Sequence, residues 1–183
     1  QELTGGVTTD FPFPCAPGVS GAQNSAEGTE DVQNGPQCSG LCPSGKMCPG
    51  ATSEPLPCNA GGYCAGSNPG ATPCPERTFS NATGLSSADQ CTDCPEGSAC
   101  RAGSVEPIGC KPGTSAFARA AVCTRCAAGR FQDGSGATAC FACTPGSYCG
   151  EGASAAVPCP SGRYENNTMR QLGISMTSAD DCI

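Results

Sequence analysis

Cysteine is the residue type here whose number and spacing could do chemistry. Eighteen occur in 183 residues, and three pairs stand at C-x2-C spacing: Cys91/Cys94, Cys123/Cys126 and Cys140/Cys143. Cys123-x2-Cys126-x13-Cys140-x2-Cys143 is close to zinc-ribbon spacing, in which four thiolates would hold one metal ion. A redox-active C-x2-C pair would instead need a βαβ context and a helix N-terminus to lower the thiol pKa, and neither pattern is visible. The same cysteines also belong to a chain-long repeat, no histidine exists anywhere, and the even count lets every thiol pair. Structural disulfides are therefore expected, with no metal and no cofactor. Without histidine there is no Ser–His or Cys–His nucleophile pair and no usual general base. The acidic neighbours Glu30-Asp31 and Asp180-Asp181 lack the spaced ligands of a calcium loop and read as solvated charge. No catalytic residue is expected, and the chain is not read as an enzyme.

Two further motifs concern modification. Asn81-Ala82-Thr83 and Asn166-Asn167-Thr168 are N-glycosylation sequons, each with its asparagine seven residues after a cysteine, Cys74 and Cys159. They are expected to occupy one surface position of a duplicated unit and to carry glycan.

The cysteines alternate between two roles. Nine open a common phrase: Cys15, Cys42, Cys58, Cys74, Cys94, Cys110, Cys126, Cys143 and Cys159, separated by 27, 16, 16, 20, 16, 16, 17 and 16 residues. Three residues after the opener comes glycine in eight of nine cases, the exception being Arg77. An aromatic residue or methionine follows at the fifth position in six: Met47, Tyr63, Phe79, Phe131, Tyr148 and Tyr164. The closers are Cys38, Cys48, Cys64, Cys91, Cys100, Cys123, Cys140, Cys149 and Cys182. Some loops place five residues between opener and closer, others 12 to 22, yet the pitch is nearly constant. Glycine supplies the positive φ of a tight turn, and proline beside it (Pro17, Pro112, Pro145) or next to the opener (Pro43, Pro75, Pro95, Pro160) lowers the entropy lost. The fifth-position ring can lie against a disulfide.

The elements that must carry this pattern are small. Leu, Ile, Val and Phe together number 20, about 11% of the chain, a level that without cross-links would read as disorder. Closing a loop of ~15 residues contributes about 3 kcal/mol through lost unfolded-state entropy, so nine closures supply on the order of 20 kcal/mol. The expected fold is small and disulfide-rich: an elongated array of short β-hairpin and turn repeats with little helix and no conventional core. A half-turn of helix is expected near Ser87–Gln90. Residues 1–14, cysteine-free, read as an extended N-terminal arm. Residues 15–73, 74–125 and 126–183 read as successive groups of cysteine-rich repeats. Cys58–Cys91 resembles Cys143–Cys182 at an offset of 85 residues, as duplication would produce.

Two pairings fit the spacing. In a ladder, each opener binds the next closer. In a three-module scheme starting at Cys15, Cys74 and Cys126, each group of six pairs first with second, third with fifth and fourth with sixth. Cys15–Cys38, Cys74–Cys91 and Cys126–Cys140 are common to both. The phrase C-x-x-G-x-[FY]…C-x2-C-P-x-G-x-[FY]-C resembles the cysteine-rich repeats of the ephrin-receptor-like type, over about residues 15–183. The three-module division is similar to tumour-necrosis-factor-receptor-like modules. These resemblances imply arrays in extracellular stalks, matrix components or receptor ectodomains.

Cysteine density of this order persists in oxidising compartments, so a secreted, extracellular or cell-surface location is expected. Gln1 reads as a terminus left by signal removal or as an artificial boundary. No run of 18 apolar residues is present, so no membrane insertion is expected. A net charge of −7 argues against nucleic acid as a partner. The leading expectation is a non-catalytic structural subunit of an extracellular glycoprotein fibril, coat or flagellar-hair-like assembly. Self-association into a homo-oligomer or filament would run through the N-terminal arm and the end loops Cys15–Cys38 and Cys159–Cys182. The alternative is a receptor or adhesin ectodomain binding a protein ligand. A secreted protease inhibitor would need an exposed reactive loop, and no loop carries a suitable basic or bulky residue.

Overall fold

The computed structural model describes residues 2–3, 7–8, 15–21, 38–50, 52 and 54–183. Most of the arm at 1–14, with Phe11 and Phe13, and the interior of the Cys15–Cys38 loop lie outside the described residues. Within the arm, Glu2–Leu3 pairs antiparallel with Val7–Thr8.

Each repeat begins with a turn dictated by its phrase. The N–H four residues after the opener donates to the carbonyl one residue after it, as from Lys46 to Pro43 (3.1 Å) and from Thr114 to Lys111 (3.0 Å). The third residue of the turn is left-handed, with φ 78° at Gly45 and 82° at Gly113, as a type II turn requires. Pro112 and Pro145 occupy the second position, where a fixed φ favours the same turn.

Two-residue strands follow and pair with the two residues before the next opener. The hairpins are Val19–Gly21 with Cys38–Leu41, Lys46–Met47 with Leu56–Pro57, Gly62–Tyr63 with Thr72–Pro73 and Thr78–Phe79 with Thr92–Asp93. They continue with Ser98–Ala99 and Ile108–Gly109, Thr114–Ser115 and Thr124–Arg125, Arg130–Phe131 and Phe141–Ala142, then Ser147–Tyr148 and Val157–Pro158. The register is constant: Lys46 opposes Pro57, Ser98 opposes Gly109 and Ser147 opposes Pro158. The first hairpin carries an irregularity between Ser20 and Gly21, and its pitch of 27 residues is the longest.

Isolated two-stranded hairpins are marginal in water, and here backbone bonds join each to its neighbours. Three contacts recur. The N–H of an opener donates to the turn glycine of the preceding repeat, as from Cys58 to Gly45 and from Cys126 to Gly113. That glycine's own N–H donates to the sixth-position carbonyl of the following repeat, as from Gly45 to Cys64 and from Gly113 to Gln132. The opener's carbonyl accepts from a residue nine or ten positions into the following repeat, as Cys58 from Gly84 and Cys126 from Gly152.

The turn glycine also meets the repeat two steps along. A Cβ on Gly45 would stand 2.6 Å from the Gly84 carbonyl oxygen, and one on Gly61 would stand 2.6 Å from that of Gly103. Gly97 and Gly113 meet Gly136 and Gly152 in the same way. Glycine is therefore required by close approach as well as by φ.

The interior is sulfur. The ten largest fully buried side chains among the described residues are all cysteines. Among the described residues an apolar cluster packs Leu85 with Cys74 and Cys91, and the fifth-position ring of Tyr63 lies against it. Phe131 instead meets Phe141 across its hairpin, with ring centroids 6.1 Å apart. The expected half-turn is a 3-10 turn at Ala88–Gln90, and Ala179–Asp181 repeats it before Cys182. Helix Asn167–Gln171 was not legible. Five residues are too few for amphipathic periodicity, though Asn166 caps it and left-handed Gly173 ends it.

Two compact units divide the chain, Gln1–Thr92 with Ala102–Glu106, and Asp93–Arg101 with Pro107–Ile183. Residues 102–106 belong with the first because Gly103 donates to Cys74 and Ser104 accepts from Ser80.

Glycine's two roles separate by mutation. Gly61→Ala adds left-handed strain and a clash with the Gly103 carbonyl, and should cost about 2 kcal/mol or more. Arg77 holds φ 74° as a side-chain-bearing residue. Arg77→Gly relieves strain of ~1 kcal/mol or more and gives back part through unfolded-chain entropy. It should stabilise by about 0.5 kcal/mol. Thermal denaturation of the oxidised chain checks both, and a destabilised Arg77→Gly would contradict the strain argument.

Candidate functional site: the disulfide ladder and two sequons

All eighteen cysteines are bonded, and the bonds follow the ladder: Cys15–Cys38, Cys42–Cys48, Cys58–Cys64, Cys74–Cys91, Cys94–Cys100, Cys110–Cys123, Cys126–Cys140, Cys143–Cys149 and Cys159–Cys182. The three bonds common to both schemes are present, and the remaining six are those of the ladder rather than of the three-module pairing. The four cysteines at zinc-ribbon spacing enter three separate disulfides. Cys123 joins Cys110, Cys126 joins Cys140, and Cys143 joins Cys149.

The register explains why two loop lengths share one pitch. In the short loops the closer is the sixth residue after the opener, immediately beyond the first strand. In the Cys74, Cys110 and Cys126 repeats it is three residues before the next opener, immediately ahead of the second strand. Extending the pairing of Lys46 with Pro57 and Met47 with Leu56 by one step sets Cys48 opposite Pro55. The same step from Thr114–Arg125 and Ser115–Thr124 sets Ala116 opposite Cys123. Both closers thus occupy one rung of the hairpin, on opposite strands. Cα–Cα separations agree, 5.8 Å for Cys42–Cys48 and 5.6 Å for Cys110–Cys123.

In the Cys74, Cys110 and Cys126 repeats the sixth residue is not cysteine, yet it is still buried and makes the same backbone bonds: Ser80, Ala116 and Gln132. Gln132 also ties its loop, donating from Nε2 to the Ala139 carbonyl at 2.7 Å and accepting from Gly134 N–H at 3.0 Å. These positions carried no signal in sequence, because a serine, an alanine and a glutamine have nothing in common except their place in the register.

The sequons occupy different settings. Asn81 is exposed, as are Ala82 and Thr83. Buried Ser80 holds that loop: its Oγ accepts from Ala82 N–H (3.2 Å) and lies 3.3 Å from the Ala82 carbonyl. Asn166 is half-buried, and its Oδ1 accepts from Thr168 N–H and Met169 N–H at 3.1 and 3.3 Å. Equal offset from the opener therefore does not give equal surroundings, because the segment after Asn166 coils into a helix.

Of the acidic neighbours, Glu30-Asp31 lies outside the described residues. Asp181 is engaged: Oδ2 accepts from Thr177 N–H (2.7 Å), Thr177 Oγ1 (3.0 Å) and Ser178 N–H (3.1 Å). These bonds to Thr177 and Ser178 hold its carboxyl below the ordinary value of 3.8. Gln90 makes the matching contacts through Oε1, accepting from Ser86 and Ser87. Compared with family models and with curated proteins, the sequence matches none.

A staple can be moved along its rung. In the double variant Ala116→Cys, Cys123→Ala, the Cys110 sulfur should bond to the new thiol at position 116, seen by peptide mapping. The fold should persist and lose about 0.6 kcal/mol, because a loop half as long constrains the unfolded chain less. Failure to form that bond would contradict the shared rung.

A folded carboxyl with a lowered pKa contributes stability above its unfolded value, and the contribution is lost as pH falls through the folded value. Amide exchange at Thr177 and Ser178, corrected for intrinsic rate, should therefore accelerate below about pH 4. Ser86 and Ser87 should not respond, and Asp181→Asn should remove the dependence. A parallel response at Ser87 would rule out the carboxyl as the cause.

Proposed function

We propose that this chain is a non-catalytic structural subunit of an extracellular glycoprotein assembly: a fibril, coat or flagellar-hair-like filament. The observation that carries this reading is the division of labour between backbone and side chains. Backbone hydrogen bonds join repeats, all eighteen sulfurs are spent on closing them, and many side chains face solvent. A chain built this way is resistant to unfolding and offers a repeating surface for lateral or end contacts. Secretion into an oxidising compartment is supported by nine disulfides, and no helix among the described residues is long and apolar enough to cross a membrane.

The exposed sequon adds the glycan. Asn81 is the primary carrier in this reading, and Asn166, half-buried and committed to capping, is modified less. The resemblance to ephrin-receptor-like repeats points the same way, since such arrays serve as stalks and matrix parts. A receptor or adhesin ectodomain is the second reading. The open groove lined by Ala99, Ile108 and Val122 favours it, with Ile108 65% and Val122 58% exposed.

Electron microscopy and sedimentation of the oxidised, glycosylated chain should show filaments or large assemblies. A monodisperse monomer at high concentration would count against the structural reading and return weight to the ectodomain. Glycopeptide mass spectrometry should find Asn81 occupied, and an unmodified Asn81 in the secreted chain would remove the glycoprotein part of the proposal.

A further inference from the structure

One hairpin in the middle of the array lacks the side chain that its place in the repeat calls for. The fifth residue after the opener is aromatic or methionine in six repeats, and in the Cys94 repeat it is Ala99. Four repeats precede this one and four follow it, so missing neighbours are not the cause. The backbone of Ala99 keeps the pattern. It pairs with Ile108 as Phe131 does with Phe141 and Tyr148 with Val157, and it bridges to Ala120 of the next repeat as Phe131 bridges to Ala153. Only the side chain is short. Across from Met47, Leu56 is half-buried, and across from Tyr148 and Phe131, Val157 and Phe141 are 44% and 59% exposed. Across from Ala99, Ile108 is 65% exposed, and an open groove of about 290 Å³ is left, lined by Ala99, Ile108, Val122 and Arg101 among others. Ser115 is also small at this position, but there a neighbouring repeat reaches in, with Cys140 Sγ 3.5 Å from its Oγ.

The groove has the size and chemistry to take a single ring. Its volume falls below the ~300–1,000 Å³ of small-molecule pockets. Its aliphatic wall is joined by Arg101, which is exposed and has no ion pair among the described residues. A ring carried next to a carboxylate fits it. The chain has six phenylalanines and three tyrosines, and Tyr63, Phe79, Phe131, Phe141 and Tyr148 belong to hairpins of their own. Of the other four, Phe117 has no acidic neighbour and is followed closely by Arg119. Tyr164 lies between Arg163 and Glu165, and the Glu165 carboxylate is already 3.5 Å from Arg170. Phe11 and Phe13 remain, outside the described residues, and Asp10 directly precedes Phe11. The wider charge pattern agrees. Residues 1–45 hold five carboxylates (Glu2, Asp10, Glu27, Glu30 and Asp31) and no lysine or arginine. Residues 97–130 hold five cations (Arg101, Lys111, Arg119, Arg125 and Arg130) against the single carboxylate of Glu106.

We infer that the groove over Ala99 is a socket for Phe11 of a second copy of this chain, with Asp10 beside Arg101. The ring enters where the repeat's own fifth side chain would lie and covers Ile108 and Val122, which adds apolar burial. The charges select the segment and speed encounter rather than supply most of the affinity. Pro12 after the ring limits the freedom lost on docking. This deepens the assembly reading above and rests on it for its setting: the groove that an ectodomain would offer to a foreign ligand goes to the chain's own segment. Donor and socket are different surfaces, so the contact is heterologous. One copy gives a segment to one neighbour and receives one from another, as an open filament requires.

The test is sedimentation of the oxidised full chain from micromolar to millimolar concentration, at low and high salt. The wild type should associate, and more weakly at high salt. Phe11→Ala should weaken association by about tenfold or more. Ala99→Phe gives the repeat its own ring and closes the socket, and it should do the same while peptide mapping still finds all the disulfides of the ladder. Arg101→Asp should weaken association about threefold, and adding Asp10→Arg should restore it. Phe117→Ala should change nothing. If Ala99→Phe misfolds, Phe11→Ala carries the test, because residue 11 precedes the first cysteine. A Phe11→Ala variant that associates as the wild type does, or association lost in Phe117→Ala instead, overturns the socket. Filaments that survive both Phe11→Ala and Ala99→Phe refute this contact and leave the assembly reading standing. Phe11-dependent pairs that never extend to filaments would do the reverse. A chain monomeric throughout overturns both, and a foreign protein ligand lost on Ala99→Phe would then assign the groove to the ectodomain reading.

Discussion

Covalent closure of each hairpin at its far rung is the constraint on which the other contacts depend. A strand of two residues cannot hold register through its own hydrogen bonds, and the side chains offer little apolar burial to help. A disulfide from the opener to either side of the rung shortens the unfolded chain's freedom at that point, by about 2.4 kcal/mol for a seven-residue loop and about 3.4 kcal/mol for one of 24. The dependence on loop length is shallow, so the closer can sit on either strand with little penalty. That indifference is why short and long loops alternate irregularly along a regular pitch.

With each hairpin closed, the backbone becomes the surface that repeats recognise. The bonds run from an opener to the preceding turn, from the turn to the next repeat's sixth residue, and from the second left-handed position back to the opener. None of these uses a side chain. Side-chain identity is consequently free at most positions, and the recurring features of the phrase are those the backbone demands. The two left-handed positions illustrate this. The turn position is glycine in eight of nine repeats, and at Gly18, Gly45, Gly61, Gly97 and Gly113 a Cβ would stand closer than van der Waals distance to a carbonyl oxygen. The second faces outward, where only the torsion matters, and it accepts Ser67 (φ 54°) and Arg119 (φ 60°) beside its glycines. Arg119 uses the exposure to reach Asp93, with Nε 3.4 Å from the carboxylate.

Legibility followed the same division. The turn, the strand after it and the three bonds Cys15–Cys38, Cys74–Cys91 and Cys126–Cys140 could be read because cysteine, glycine and proline announce backbone geometry directly, while the other six bonds stayed open between two schemes until the register was seen. The 3-10 turn at Ala88–Gln90 could be read from its Ser-Ala-Asp-Gln string. The second left-handed position could not, although Gly84, Gly103, Gly136 and Gly152 mark it in four repeats, because its offset from the opener shifts between nine and ten. Ser80, Ala116 and Gln132 were invisible for the opposite reason: their burial comes from register, and register is a relation between strands. The sequons misled in a smaller way. Asn81 and Asn166 share an offset, but offset predicts surroundings only while the repeat stays in phase, and Asn167–Gln171 coil out of phase.

A fold that recognises itself through its backbone leaves little trace of its partners in its side chains. In a conventional domain a binding site shows as a departure from what packing requires. Here packing requires so little that Phe117 at 77% exposure and Leu172 at 69% are neither anomalies nor ordinary surface. The informative departures are from the repeat pattern instead. The turn N–H finds its carbonyl at Gly18, Gly45, Gly61, Gly97, Gly113 and Gly129 and not at Arg77, Gly146 or Gly162 among the described residues. For an array of this kind the internal repeats are the reference set, and a step is unusual only where the repeats that should supply its partner are present.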